Sequence, residues 1–329
     1  MNLELNRSNV LITGGAGFIG SHLADRLLDA GCNVVVLDNF DDFYEGKEAN
    51  VTQNLGRSGY RLVRGDVLDY DMVSSLSQKA DFIFHLAAKP GIRQSIQDPI
   101  RAHHVNVTGT INVLLAAKEN KVRKIIYASS SSVYGPTDQI SMREDNPTRP
   151  TSPYAASKLA AENYCVAFSK SYNLPVTCLR YFSVYGPRGR PDQPVYRFTA
   201  RILRGSNPAI FGDGSQTRDF TYISDVVEAT ISAAISERCT GEILNIGFGN
   251  EISIKDVAQK IISRLNKPGI EIEYYEGYDG DFPRTLSNSE KARHILGWRP
   301  RVSFDEGLDK FLDWCVKTNS INVSAGVSH

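Results

Sequence analysis

An apolar run, Val10-Leu11-Ile12, leads directly into Thr13-Gly14-Gly15-Ala16-Gly17-Phe18-Ile19-Gly20, and an amphipathic stretch over 21–30 follows. A strand that turns through glycines into a helix exposes backbone N–H groups at the helix N-terminus, with no side chains to keep an anion away. Gly31 supplies a C′ position for that helix, and Val34-Val35-Val36-Leu37-Asp38 reads as the next strand. Asp38 ends it, roughly 20 residues beyond the glycine turn, where a carboxylate can accept the hydroxyl protons of an adenosine ribose. Its charge would repel a 2′-phosphate and Asn39 beside it brings no positive charge, so NAD is expected rather than NADP.

Further apolar segments recur at 60–63, 82–86, 124–128 and 176–180, separated by helix-compatible stretches such as 105–118. This alternation predicts an α/β fold, a doubly wound parallel sheet wrapped by helices. Beyond Phe182, turn formers crowd 185–194 and the elements shorten, which points to a smaller, mixed α/β C-terminal lobe. The expected division is 1–180 for a dinucleotide and 181–329 for a second ligand, with segments near 219–246 able to return to the first. The polar stretch 320–329 is expected to fray.

Lys plus Arg and Asp plus Glu each number 37, so no global field favours nucleic acid or an acidic membrane. An anionic ligand must therefore be met locally. Five scattered cysteines without a CxxC pair argue against a disulfide framework or structural zinc, and none of the six histidines has metal-ligand spacing. His103 and His104, adjacent on a helix, are expected to point apart. With no basic leader and no apolar run of membrane-spanning length, a soluble, cytoplasmic protein is expected.

Downstream, Tyr154-Ala155-Ala156-Ser157-Lys158 follows Pro153 and places a phenol and an ammonium four residues apart, on one face of a helix. A tyrosine hydroxyl has an ordinary pKa of about 10 and is a poor base at neutral pH unless positive charge favours its ionised form. Lys158 is the expected source of that charge. Ser130, within Ala128-Ser129-Ser130-Ser131-Ser132-Val133-Tyr134-Gly135, follows a strand at the end where doubly wound folds place ligands.

The glycine spacing and Tyr-x-x-x-Lys, together with Gly65-Asp66-Val67, His85-Leu86-Ala87-Ala88, Asn106, Arg180-Tyr181-Phe182 and Arg218-Asp219-Phe220-Thr221-Tyr222, resemble the extended short-chain dehydrogenase/reductases. Within them the chain is similar to the nucleotide-sugar epimerase and dehydratase branch over nearly its whole length. The resemblance implies that Asp66 and Val67 bracket an adenine, that Ala87 and Ala88 line the cofactor backbone and that Tyr181 packs near the nicotinamide. Gly14, Gly17, Phe18, Ile19, Gly20, Asp38, Asn39, Leu86, Asn106, Ser129, Tyr154 and Lys158 complete the implied cofactor contacts. It also implies that Ser130 bonds the reacting oxygen of the sugar beside Tyr154.

Dehydratases and uronate decarboxylases of this branch carry a glutamate at the position of Ser132, and dehydratases an aspartate at Ser131; this chain has neither acid. Water elimination needs such an acid/base pair, so reversible oxidation at C4 is the expected chemistry, with the hydrogen returned to the opposite face. The resemblance gives the uracil to Ala209 and Phe211 and the diphosphate to Arg218 and Arg284, although no arginine precedes Gly280-Asp281 as is usual.

Two features point to a uronic acid. Ser183 stands where uronate 4-epimerases have threonine and neutral-sugar epimerases asparagine, and Arg188-Gly189-Arg190-Pro191-Asp192 resembles the Arg-x-Arg-Pro-Asp loop of the uronate enzymes. A guanidinium pairs strongly with a carboxylate, so Arg190, with Arg93, Ser130, Ser131, Ser132 and Ser183, is expected to face the sugar. A 4-keto uronate is a β-keto acid, so holding its carboxylate out of line with the carbonyl π-system prevents loss of carbon dioxide. Epimerisation of UDP-glucuronate is the leading expectation, with a neutral UDP-hexose 4-epimerase or a 4-ketoreductase as alternatives, in a homodimer built on the helices near 105–118 and 154–168.

Overall fold

The structure, a computed structural model, describes residues 5–137, 139–277 and 283–318. The stretch 320–329, expected to fray, and the segment 279–282 lie outside these residues. The strands are β1 (Asn9–Thr13), β2 (Asn33–Asp38), β3 (Tyr60–Arg64), β4 (Phe82–His85), β5 (Lys124–Ser130), β6 (Val176–Tyr181), β7 (Ser183–Tyr185), β8 (Ala209–Phe211), β9 (Thr217–Tyr222), β10 (Ile243–Ile246), β11 (Glu251–Ser253) and β12 (Glu273–Tyr275). The helices are α1 (Phe18–Asp29), α2 (Lys47–Thr52), α3 (Tyr70–Ser77), α4 (Ile92–Gln97), α5 (Pro99–His103), α6 (Gly109–Glu119), α7 (Pro153–Tyr172), α8 (Pro194–Leu203), α9 (Ile223–Ile235), α10 (Ile254–Arg264), α11 (Glu290–Leu296) and α12 (Phe304–Thr318).

Seven strands form one parallel sheet in the order β10-β6-β5-β4-β1-β2-β3. The order reverses between β1 and β4, so the chain leaves these two strands in opposite directions and opens a crevice beyond their C-terminal ends. Side chains alternate across β1: Val10 and Ile12 join the core on one face, Leu11 the core on the other. The first of these cores is continuous from β1 and α1 through β6 to α12. β10 joins the main sheet beside β6, while β11-β9-β7 and β12-β8 form two small sheets at the C-terminal side of the crevice.

The stretch 105–118 is not one regular helix. After α5 the chain runs through a five-residue π-helical turn, His104–Thr108, before α6 begins. His103 and His104 do not diverge as α-helical neighbours would; their exposed rings meet edge to face at 6.0 Å.

Gly14 adopts φ +73°, and a Cβ there would fall 2.6 Å from the backbone N of Ala87. Gly20 is as confined, because its Cβ would lie 2.3 Å from the Gly14 carbonyl and 2.7 Å from Gly15 Cα. All these atoms are backbone and cannot swing aside. Gly20→Ala is expected to destabilise the chain by about 1–3 kcal/mol in urea unfolding, whereas Gly269→Ala, where nothing lies within 4 Å, should leave the midpoint unchanged.

Candidate active site

The crevice is a cavity of about 1440 Å³ whose wall includes the glycine turn, the end of β2, the 86–93 loop, the end of β5, the start of α7 and the 183–211 segment. Gly17 caps α1 with extended backbone and offers no side-chain bond, so the first-turn N–H groups of Phe18, Ile19 and Gly20 face the cavity without a side-chain cap. Such a helix end attracts an anion. Asp38, only 7% exposed, takes one backbone N–H on each carboxylate oxygen, from Ala16 at 3.0 Å and Phe40 at 2.8 Å. Burial nevertheless raises its pKa against those bonds and the charge of Lys47. Lone pairs remain for two hydroxyls, and the glycine cradle with this carboxylate fits a dinucleotide. Asn39 donates to Asp66 at 2.8 Å, and both line the cavity beside Val67, Leu86, Ala87 and Ala88.

Two features of this wall carry no sequence motif. The loop after β2 is clasped by Asp41, which accepts Lys47 at 2.9 Å, Lys89 at 2.6 Å and Arg101 at 3.4 Å. Burial pushes the Asp41 carboxyl up, but its hydrogen bonds to the two lysines prevail and hold it down at about 2. Tyr44, from the same loop, buries a hydroxyl with no hydrogen-bond partner 3.9 Å from where a Gly17 Cβ would lie.

α7 is built to fix Tyr154. The Ser152 side chain accepts the Ala155 N–H at 3.2 Å as N-cap, Pro153 takes the first helical position, and Tyr154 follows in the first turn. The positive end of the helix dipole favours a phenolate there. Burial raises the Tyr154 pKa, opposed first by the charge of Arg190 and then by a hydrogen bond from Ser130. Ser130 accepts both the N–H and the hydroxyl of Ser132, at 3.2 and 2.9 Å, which leaves its own proton to donate. Lys158, one turn along, is 3% exposed, with Nζ 4.5 Å from the centre of the Tyr127 ring, and burial lowers its pKa to about 8. The cation acting most strongly on Tyr154 is therefore Arg190.

Arg190 lines the cavity 5.5 Å over the Phe43 ring. Its fork is engaged by Asp192, with Nε and Nη2 at 3.0 and 2.7 Å from the two carboxylate oxygens. Arg188 turns the other way, to Asp25 at 2.5 Å and His22 at 3.0 Å, and pins the loop to α1. Ser131, Ser132, Ser183, Tyr181, Ala209 and Phe211 are on the wall, and Arg93 stacks 4.5 Å over Phe211.

Four expected residues point elsewhere. Asn106 is buried behind the wall, bonded to the Lys89 backbone and Ser157. Ser129 reaches the wall, yet its hydroxyl donates inward to Glu162 at 2.7 Å. Arg284 is not on the wall; Glu251 grips it at 2.6 Å through both Nε and Nη2. Arg218 is also off the wall, where Nη1 donates to the Thr217 carbonyl at 2.7 Å. For Arg284, the Glu251 carboxylate in β11 claims the donors expected for a diphosphate.

Glu162 itself escaped the sequence reading, although it continues the Tyr154, Lys158 face of α7 by one more turn. It is 1% exposed, and Arg180 reaches it through Nε at 3.0 Å and Nη2 at 2.6 Å. This buried pair joins α7 to β6 directly beneath Ser129 and Ser130.

A doubly wound sheet whose crevice joins a glycine cradle to a tyrosine and lysine on one helix defines a short-chain dehydrogenase/reductase-type α/β protein. The chain matches the model of the family described as GDP-mannose 4,6 dehydratase over residues 11–311. It therefore belongs to that nucleotide-sugar epimerase and dehydratase family of extended short-chain dehydrogenase/reductases. It is 37% identical to a UDP-glucose 4-epimerase of Mycolicibacterium smegmatis, across 92% of this chain and 97% of the relative. It is 38% identical to a UDP-N-acetyl-alpha-D-glucosaminuronate decarboxylase of Bacillus cytotoxicus, across 94% and 98%. The solved UDP-glucuronic acid 4-epimerase of Bacillus cereus, in complex with UDP-glucuronic acid and NAD, superposes with a TM-score of 0.90 at 36% identity, covering 94% of this chain and 99% of that one.

Breaking a buried pair strands the remaining charge, so Glu162→Gln is expected to cost about 3–5 kcal/mol in urea unfolding. The Asp41 clasp has its own acid signature. Its contribution to stability is complete above the ordinary carboxyl value of 3.8 and is lost as the pH falls through about 2. Asp41→Asn should flatten the stability–pH curve across that window while leaving its slope above pH 5 unchanged.

Proposed function

We propose that this chain is an NAD-dependent UDP-sugar 4-epimerase whose preferred conversion is UDP-glucuronate to UDP-galacturonate. The observation that supports it most is the convergence of Tyr154, Ser130, Ser183 and Arg190 on the same cavity wall as Asp38 and the glycine turn. The cavity exceeds the roughly 300–1,000 Å³ of ordinary single-ligand sites, in keeping with room for a dinucleotide and a nucleotide sugar together.

Gly14, Gly17 and the first turn of α1 hold the pyrophosphate, Asp38 the adenosine ribose, Asp66 and Val67 the adenine, and Lys158 and Tyr181 the nicotinamide end. Bound NAD supplies an acceptor for the C4 hydrogen with its electron pair and a donor that returns them to either face of the ring. Tyr154 takes the 4-hydroxyl proton and later gives it back; the helix dipole, Arg190 and the Ser130 hydroxyl support its anionic form. Ser130 holds the reacting oxygen. Between the two transfers the ketose turns over, so the nucleotide is gripped by Ala209, Phe211 and Arg93 while the sugar stays loose. Ser131 and Ser132 bring no acid to eliminate water. Among the described residues, the carboxylates on the cavity wall are Asp38, Asp41, Asp66, Asp98 and Asp192.

For a uronate, Arg190 and the hydroxyls of Ser131 and Ser183 orient the C6 carboxylate and keep it out of line with the 4-keto group. This requires the carboxylate to share or displace Asp192 on the guanidinium fork. A second reading follows from that same pair: with Asp192 already neutralising Arg190, the wall suits a neutral UDP-hexose. We further propose a homodimer, in which the exposed Tyr164 and Tyr172 of α7 would be covered.

Purified protein, without added NAD, should convert UDP-glucuronate to its C4 epimer by NMR faster than UDP-glucose or UDP-N-acetylglucosamine. Turnover of the neutral sugars alone would select the second reading. Arg190→Ala should slow uronate turnover by about 30-fold or more, and Tyr154→Phe should slow every sugar by about 100-fold or more. Unchanged rates in Tyr154→Phe would exclude the phenol as the proton carrier.

A further inference from the structure

Beneath the cavity floor, His85 ends β4 with 1% exposure and bonds on both sides of its ring. Nδ1 lies 2.7 Å from Thr13 Oγ1 at the end of β1, and Nε2 lies 2.9 Å from Thr110 Oγ1 in the first turn of α6. The hydrogen positions follow from counting donors. Thr110 has one hydroxyl proton, and it donates that proton to the Asn106 carbonyl at 2.6 Å. Towards His85 its oxygen can only accept, so Nε2 must carry hydrogen. Burial and the nearby charge of Lys158 both disfavour imidazolium and lower the His85 pKa to about 3. Nδ1 is therefore bare and accepts the Thr13 hydroxyl proton. The Thr13 oxygen in turn accepts the Ala87 N–H at 3.3 Å.

A one-way chain results, from Ala87 N–H through Thr13, His85 and Thr110 to the Asn106 carbonyl. It continues through the Asn106 side chain, which donates to Ser157 Oγ at 2.8 Å, and Ser157 donates to the Tyr154 carbonyl at 2.8 Å. Asn106 also bonds the Lys89 backbone in both directions, at 2.7 and 3.2 Å. Asn106 lies within the π turn His104–Thr108, with its backbone carbonyl facing Thr110 and its side-chain amide facing Ser157. One end of the chain is a cavity-wall residue packed on Gly14; the other is the backbone of the tyrosine in the first turn of α7.

We propose that His85, as the neutral Nε2–H tautomer, is a positioning residue that fixes the cofactor cradle at Ala87 relative to Tyr154. The proposal rests on the epimerase reading for its effect on turnover and on the hydrogen-bond geometry and burial of the ring for the tautomer. A displacement of Tyr154 against the cradle degrades the transfer geometry without removing any group that touches the sugar, so kcat should change and KM should not.

The test combines long-range 1H–15N correlation of the histidine rings in the wild-type protein with kinetics of three variants. His85 should show hydrogen on Nε2, a bare Nδ1 and no titration between pH 5 and 9. Hydrogen on Nδ1, or a charged ring at pH 7, would overturn the proposal. Thr110→Val, which keeps the shape and removes the hydroxyl, and His85→Phe should each lower kcat about 10-fold or more while the UDP-sugar KM stays within threefold. Thr110→Ser should restore kcat to within threefold of wild type. Folded Thr110→Val and His85→Phe with kcat within twofold of wild type, or failure of Thr110→Ser to rescue, would also sink it. Should both disruptive variants fail to fold, the ring spectrum decides. If the wild-type protein turns over no UDP-sugar, the epimerase reading fails and the spectrum still tests the tautomer.

Discussion

The close approach of β1 and β4 at their C-terminal ends is the constraint from which the rest of the site follows. Thr13 pairs with Leu37 on one side and His85 on the other, and immediately beyond it the chain must turn while Ala87 occupies the space a side chain would need. Only glycine meets both the positive φ and the contact at position 14. That turn aims α1 at the crevice with its N-terminus uncapped, and the reversal of strand order keeps the crevice open above it. Anion binding and the placement of the 86–93 loop are thus two consequences of one packing requirement.

Charge is handled differently at the floor and at the rim. Beneath the serines at the end of β5, Glu162 and Arg180 form a bidentate pair with almost no exposure, which holds α7 on β6. Along the rim, Asp41 with its cations and Asp192 with Arg190 remain partly exposed. Buried pairs are costly to break and anchor what must not move. Rim pairs can exchange partners when another anion arrives, because part of their desolvation cost is already relieved by water. The division matches the demands of a site that must keep a phenol fixed and still admit a charged, rotating ligand.

Much of the architecture was legible because it is written in local pattern. Apolar runs located six of the seven strands of the main sheet to within two residues, the glycines and Asp38 marked the cradle, and Ser152-Pro153 before Tyr154 set the start of α7. Ser129 and Asn106 were found as residues but not as directions, since their bonds depend on Glu162 and Ser157, 33 and 51 positions away. The arginines show the limit most clearly. Arg188 and Arg190 are two residues apart, yet one pins α1 and the other lines the cavity, and Arg284 is held by Glu251. A guanidinium binds whichever carboxylate the fold brings to it, and spacing along the chain does not encode that choice. The π turn was missed for a related reason: the 105–118 stretch has helical composition, and the tertiary partners of Asn106 and Thr110, Ser157 and His85, lie 51 and 25 positions away.

Arg190 adds a positive charge at Tyr154 that the spacing to Lys158 does not reveal. The four-residue spacing nominates Lys158; burial lowers its pKa to about 8, which leaves it mostly protonated at neutral pH with Nζ over Tyr127, and the charge of Arg190 opposes the burial of the phenol. Arg190 in turn shares its charge with Asp192, so the field at the phenol is tied to whatever occupies the guanidinium fork. A ligand carboxylate that reached Arg190 would add a negative charge beside Asp192 and oppose the phenolate, while a neutral ligand would leave the resident pair intact.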